Sequence, residues 1–168
     1  MSNIVEQTVN IFQPVVVQER SSFNLEMLEQ RFKNNSWKDW SLPEAFMCVI
    51  LAAATADGVV TLEENYEIQA LARRSRTLKM LNPNQLAQTN NVVNERLRTR
   101  PSALQEACAA LPNETRLPIF AHCVDIVLAD GELLDVEARF LDRVRELLQI
   151  NEGDAIAIRE VMMMKNQY

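Results

Sequence analysis

Glycine and histidine are both scarce in this sequence of 168 residues, which contains three glycines and one histidine. So few glycines exclude a sheet-rich fold with many tight turns, whereas long helices are easily built without them. The single histidine, His122, lies beside Cys123 on one predicted helix, where adjacent side chains point in different directions. The sequence therefore offers no nucleophile with a neighbouring base, and we expect no enzymatic activity.

Long hydrophobic runs are also missing. The longest, from Ala45 to Ala56, is too short to span a bilayer, and the N-terminus has no basic segment before a hydrophobic run. Cys48, Cys108 and Cys123 are odd in number, lie in apolar helical stretches and show no CxxC spacing. This pattern is typical of reduced core cysteines, so we expect a cytoplasmic protein.

Basic residues are outnumbered by acidic ones, at 17 against 23, which gives a net charge of -6. A nucleic-acid-binding protein needs a basic face to neutralise phosphates, so this class is disfavoured and cations or basic partners are the expected ligands. Neither a Gly-x-Gly-x-x-Gly motif nor a Walker-type lysine motif occurs, and we expect no organic cofactor.

The sequence is rich in helix signals. Residues 41–44 and 61–64 both match the capping-box pattern, and Asn82 followed by Pro83 is a favourable helix start. Pro118 is compatible with its predicted helix only near the first turn. Together these signals predict an all-α fold, a compact bundle of about seven to eight helices.

A chain of this length and composition favours one domain. We assign residues 23–168 to a helical domain and residues 1–22 to an N-terminal arm or short helix. An arm that touches a membrane or a partner is the alternative, but the segment lacks the Lys/Arg-rich polar face of interfacial helices.

Two loops of the sequence repeat one pattern 73 positions apart. Residues 56–64 and 129–137 both read Ala-Asp-Gly, then five residues, then Glu. The apolar helices before and after each loop superimpose at the same offset. This predicts an internal duplication of a helix-loop-helix unit, at about residues 41–75 and 114–149.

Carboxylates are concentrated in and near these loops. Clusters of oxygen ligands favour hard divalent cations of the Ca²⁺ or Mg²⁺ type. The loops are not EF-hands, because glycine directly follows the aspartate and glutamate is the eighth residue. The alternative is a purely structural acidic surface, in which glycine ends a helix and glutamate caps the next one. The candidate metal ligands are Asp57, Glu64, Asp125, Asp130 and Glu137.

The second loop makes capping a less complete explanation. Leu134 stands where the first loop has Thr61 and cannot cap, yet the Asp-to-Glu spacing is the same. Asp125 lies on a largely apolar helix one turn earlier and needs a partner if it is buried. His122, an arginine or a metal ion are the candidates for that partner. Because Ala52 is equivalent to Asp125, two metal sites would be unequal.

The doubled Ala-Asp-Gly loops, the Leu-Ala-Arg-Arg-Ser-Arg segment at 71–76 and Ala-Asp-Gly-Glu-Leu at 129–133 resemble the TerB family of tellurite-resistance proteins. The resemblance covers roughly residues 40–150. It implies a compact helical bundle of cytoplasmic bacterial proteins, associated with tellurite and other stress resistance, with clustered acids proposed to bind metal cations. Carried onto the matching positions, it points to Asp57, Glu64, Asp130 and Glu137, with Asp125 as an addition.

These observations lead to a hypothesis of a non-enzymatic, cation-responsive binding module with a protein partner. Related domains occur in larger membrane-linked stress systems, so a membrane-associated partner at the inner membrane face fits the resemblance. The runner-up is a structural interaction scaffold without metal binding. Direct binding of tellurite is not expected, because an acidic cluster repels an oxyanion.

Overall fold

The computed structural model describes residues 39–129 and 131–167, so the predicted arm at 1–22 and the candidate ligand Asp130 lie outside the described residues. The described part of the chain contains no strand, and none of its helices is long and apolar enough to cross a membrane. The predicted all-α bundle is confirmed. The seven helices of the described ranges are α1 (Leu42–Ala54), α2 (Leu62–Arg74), α3 (Pro83–Thr99), α4 (Ala103–Ala110), α5 (Asn113–Val127), α6 (Asp135–Leu147) and α7 (Glu152–Asn166).

Local hydrogen bonds define where the first three helices begin. At α1, the Ser41 hydroxyl accepts the N–H of Glu44 at 3.4 Å, and the Glu44 carboxylate accepts the N–H of Ser41 at 2.9 Å. α2 begins in the same way after Thr61. At α3, Asn82 and Gln85 exchange two such bonds, each 2.9 Å long. The predicted helix starts at all three places are confirmed.

α1 forms the centre of the bundle. It packs against α3, α4 and α5, and less extensively against α2 and α6. Ala45, Cys48, Val49 and Ile50 are all 0% exposed. A helix that is apolar on nearly all faces must be surrounded by other helices to remove that surface from water. The longest apolar run in the sequence is therefore the core helix of the bundle.

The start of α1 is tied to α3 and α4 by a polar network around a buried tryptophan. The indole N–H of Trp40 donates to Glu106 Oε2 at 3.1 Å. The Arg96 guanidinium lies 4.5 Å from the centre of the Trp40 ring and donates to Glu44 Oε2 at 3.2 Å. These contacts fix the position at which the chain enters the described bundle.

α5 packs against α1, α6 and α7 and contains Pro118. Because α5 begins at Asn113, Pro118 lies in the second turn, deeper in the helix than the sequence indicated. Proline has no N–H to donate to the carbonyl of Glu114. Both residues lie on the exposed face of α5.

The three cysteines are buried and unpaired. Burial raises the pKa of Cys48 and of Cys108 to about 12 and also raises the pKa of Cys123. Since the thiolate is the reactive form of cysteine, these side chains act as small apolar residues. Their predicted place in the core is confirmed.

Candidate functional site

The first acidic loop follows the end of α1. The N–H of Gly58 donates to the carbonyl of Thr55 at 3.0 Å, and Gly58 has a φ of +86°. A Cβ atom at Gly58 would meet nothing within 4 Å, so it is the left-handed backbone that favours glycine here. The loop therefore turns away from α1 by a local backbone constraint.

Asp57 stabilises this turn with its side chain. One carboxylate oxygen, Oδ1, accepts the N–H of Val59 at 2.9 Å, which makes an Asx turn. The side chain is half-buried. Asp57 thus has a structural role in the loop, and this role occupies only one of its two oxygens.

Glu64 is 4% exposed and completes the capping box of α2. Its Oε2 atom accepts the N–H of Thr61 at 2.8 Å and the Thr61 hydroxyl at 3.1 Å. The Glu64 N–H in turn donates to the Thr61 hydroxyl oxygen at 3.2 Å. Both bonds to the carboxylate reach the same oxygen, and Oε1 accepts none from the described residues.

Gly131 and Glu137 of the second loop repeat features of Gly58 and Glu64. Gly131 also has a φ of +86°, and its N–H donates to the carbonyl of Leu128 at 3.0 Å. Glu137 is 4% exposed, and its Oε2 accepts the N–H of Leu134 at 2.8 Å. The likeness of the two loops is a finding of the structure, whereas duplication of the whole helix-loop-helix unit stays a prediction.

Glu137 also explains why the Asp-to-Glu spacing survives without a capping residue at Leu134. A capping box has two halves, and the half supplied by glutamate needs only a backbone N–H from the residue three positions earlier. Leu134 has that N–H although its side chain cannot accept a bond. The shared spacing therefore has a structural cause in the second loop as well as in the first, where the sequence already indicated a capping box.

Asp125 points to the C-terminal helix. Its Oδ1 atom accepts hydrogen bonds from the ammonium group of Lys165 and from Asn166 Nδ2, the latter at 3.2 Å. The Asp125 side chain is 15% exposed, against 51% for Lys165. The partner that the sequence could not choose among histidine, arginine and metal is thus a lysine, on a helix 40 residues further along the chain.

His122 lies on α5 between α1 and this ion pair. Its ring meets Phe46 edge-on, with ring centres 6.0 Å apart. Burial lowers the pKa of His122, and the nearby positive charges of Arg74 and Lys165 add to that effect, whereas Asp125 opposes it. The imidazole therefore favours the neutral state, packed against an aromatic ring.

The described carboxylates do not form a complete cation cage by themselves. Within residues 39–129 and 131–167 there is no group of three or more His, Cys, Asp or Glu side chains placed to hold a metal ion. Asp57 and Glu64 together supply two candidate ligands in the first loop. Asp130 lies outside the described residues, so the five-residue metal site stays a prediction.

An open groove lies beside the first loop, between α2 and α3 with α1 as its floor. Its volume is about 590 Å³, and Thr55 and Val60 of the first loop line one part of it. Apolar side chains of α1, α2 and α3 cover the floor and walls, among them Leu51, Ile68 and Leu86. The candidate cation loop is therefore also an edge of an apolar surface.

Among the comparisons with known proteins, one family model matches the chain. The family model described as "Tellurite resistance protein TerB" matches residues 43–160, well over half of the sequence. No curated protein and no solved structure matches the chain. The match covers all seven helices in whole or in part, including both Ala-Asp-Gly loops.

Proposed function

The chain belongs to the TerB family of tellurite resistance proteins, and on this basis we propose that it is a non-enzymatic binding module of tellurite and stress resistance. In this proposal the paired acidic loops bind a divalent cation of the Ca²⁺ or Mg²⁺ type. The helix faces beside them bind a protein partner, one associated with the inner face of the membrane. The module acts in the cytoplasm, which its three unpaired, buried cysteines support.

The observation that carries the cation proposal is the shared build of the two loops. Each has a left-handed glycine after the aspartate and a buried glutamate that uses Oε2 to cap the following helix. In the first loop, Glu64 Oε1 accepts no hydrogen bond from the described residues, and Asp57 uses only Oδ1. Carboxylate oxygens held by local hydrogen bonds are preorganised ligands for hard cations.

The position of the first loop supports a link between cation and partner. Thr55 and Val60, on either side of Asp57, line the apolar groove. A cation that ordered residues 55–61 would also order this edge of the groove. We therefore propose that cation binding strengthens partner binding by preorganising the groove.

A purely structural scaffold is the second candidate. It is favoured by the capping bonds of Glu64 and Glu137 and by the ion pair of Asp125 with Lys165, because each gives a candidate ligand a role that needs no metal. In a scaffold of this kind, the loops shape the bundle, and partner binding is indifferent to divalent cations.

Calorimetric titration separates these candidates. Ca²⁺, Mg²⁺, Mn²⁺ and Zn²⁺ are titrated in turn into chelator-treated protein, and thermal unfolding is followed with and without each ion. At an ion concentration about 100 times its Kd, binding to the folded state alone stabilises the protein by about 2.7 kcal/mol. The proposal expects saturable heat and this stabilisation with at least one ion.

Two variants give the titration its specificity. The Asp57→Asn, Asp130→Asn double variant is expected to lose the heat while remaining folded. Glu63→Gln, which removes an exposed carboxylate next to Glu64, is the matched control and should titrate like the parent protein. The cation proposal is refuted if no ion gives heat or raises the Tm of the parent protein.

A further inference from the structure

The groove between α2 and α3 has an uneven distribution of charge. Its larger part, of about 590 Å³, is continuous with a smaller part of about 430 Å³ through Gln69, Ala72, Pro83 and Leu86, which line both. We call the two parts together the α2–α3 groove. No aspartate or glutamate is among the described residues that line it, although the chain as a whole is acidic.

The charged residues that line the described part of the groove are Arg73 and Lys79, and both lie in its smaller part. Both are exposed, and neither pairs with a carboxylate among the described residues. Arg74 next to them does pair, with Glu67 at 3.5 Å. Two cations that no described carboxylate neutralises therefore mark one end of an otherwise uncharged groove, on a chain of net charge -6.

The groove is long enough to hold a helical segment of about three turns. α1 packs against both α2 and α3 and forms the floor between them. From Pro83 to Asn94, the α3 wall extends roughly 16 Å, about three helical turns. Amide side chains stand along the rim, where they can bond to polar groups of a bound segment: Asn65, Gln69, Asn90 and Asn94.

We infer that the α2–α3 groove binds an amphipathic helical segment of a partner protein, with acidic residues at the end that lies beside Arg73 and Lys79. The apolar face of such a helix would cover Leu51, Ile68 and Leu86, as in other helix-in-groove complexes. Its carboxylates would meet the two unpaired cations, which fixes the direction of the helix. This inference rests on the proposed protein partner and does not require cation binding.

Fluorescence anisotropy with two labelled peptides tests the inference on the full chain. Both peptides are amphipathic helices of about three turns, and they differ only in carrying two glutamates or two lysines at one end. In buffer with chelator and low salt, the acidic peptide is expected to bind on the order of tenfold more tightly, and salt should reduce the difference. Equal binding of the two peptides, or binding of neither, overturns the inference.

Charge-reversal variants locate the contact. Arg73→Glu, Lys79→Glu should reverse the peptide preference, whereas Arg98→Glu, which changes an exposed arginine outside the groove, should leave it unchanged. All three altered residues are on the surface, and circular dichroism checks that each variant is folded. A preference that Arg98→Glu abolishes, or that the double variant leaves intact, places the acidic contact elsewhere and overturns the inference.

A photo-crosslinker at Ala87, an exposed residue that lines the groove, identifies the occupant. Crosslinking to the acidic peptide supports the inference. Crosslinking to residues 1–38 of the same chain or to a second copy, in preference to the peptide, overturns it. These measurements are made in chelator, so a failure to bind the peptide does not bear on the calorimetric test of cation binding. A failure of the calorimetric test likewise does not bear on peptide binding.

Discussion

The first acidic loop has a capping hydroxyl, that of Thr61, where the second loop has Leu134. Replacing Thr61 by alanine tests the capping argument directly. The substitution removes the hydroxyl that accepts the Glu64 N–H at 3.2 Å and donates to Glu64 Oε2 at 3.1 Å. Loss of a threonine N-cap costs up to about 2 kcal/mol, and a site that is partly buried belongs in the upper half of that range. We expect about 1.5 kcal/mol, which lowers the Tm by about 3–6 °C for a chain of this size.

A double-mutant cycle with Glu64→Ala separates the cap from other effects. Both single substitutions break the same side-chain pair. The sum of their losses in unfolding free energy should therefore exceed the loss in the double variant by about 0.5–1 kcal/mol. The control is the same cycle in the second loop, with Leu134→Ala and Glu137→Ala. Leu134 has no side-chain hydrogen bond to lose, so its coupling to Glu137 should be within about 0.3 kcal/mol of zero.

Urea-induced unfolding, followed by circular dichroism, gives all the free energies for both cycles. Equal coupling in the two loops would show that the hydroxyl of Thr61 contributes nothing specific. A neutral Thr61→Ala substitution would refute the capping argument altogether. The Glu137→Ala variant is informative in its own right, because the backbone N–H of Leu134 then loses its buried acceptor.

Three further predictions concern stability. Burial lowers the pKa of His122 below 6.5, so as the pH falls below 6.5 the unfolded chain binds a proton that the folded chain does not, and the protein loses stability. His122→Gln should therefore make the free energy of unfolding depend less on pH between about pH 7 and about pH 5.5. An unchanged pH dependence would contradict this. A double-mutant cycle with Asp125→Asn and Lys165→Met should give a coupling energy of about 0.5–1 kcal/mol, which salt reduces because the lysine is half exposed. A coupling energy of zero, measured by urea-induced unfolding, would refute a stabilising ion pair. Gly58→Ala should destabilise the protein by about 1 kcal/mol, because Gly58 has a positive φ. Gly153→Ala within α7 should stabilise it by about 0.5–1 kcal/mol. Thermal melts in which both variants are more stable than the parent protein would contradict the backbone argument.

Helix starts were the most predictable part of the fold. The pairs at 41–44 and 61–64 and the Asn82-Pro83 step each place a capping group within three residues of its target N–H. Such bonds depend on the local sequence and form in almost any tertiary context. The burial of the three cysteines and of the run from Ala45 onward followed equally from apolar helical patterning.

The candidate site was less predictable, because the same residue types serve capping and metal binding. The sequence identified Glu64 and Glu137 as unusual, and the structure places both in the interior, each accepting a backbone N–H. The Leu134 side chain accepts no capping bond, as the sequence indicated, but the glutamate half of the capping box is present in the second loop without it. For Asp125, the sequence predicted that the carboxylate needs a partner if it is buried, but it did not predict that the partner is Lys165.

The α2–α3 groove had only an indirect signal in the sequence. Ile68, Leu81 and Leu86 are apolar residues, yet each is only partly buried and packs against the edge of the core. Periodicity shows which face of a helix is apolar, and it does not show whether a neighbouring helix covers that face. The opening became visible only once α1, α2 and α3 were placed together.

By itself, the sequence determined the class of fold, the starts of several helices, the left-handed turns at Gly58 and Gly131, and the burial of the cysteines. All of these depend on interactions within a few residues or on the spacing of apolar side chains. Only the tertiary structure decided that Asp125 pairs with Lys165, that Trp40 bonds to Glu106, and that Arg73 and Lys79 mark one end of an open groove. The two pairs join residues that are 40 and 66 positions apart in the sequence, and the groove forms where separate helices meet. The packing of the helices makes the choice among many partners of similar chemistry, and no local pattern encodes it.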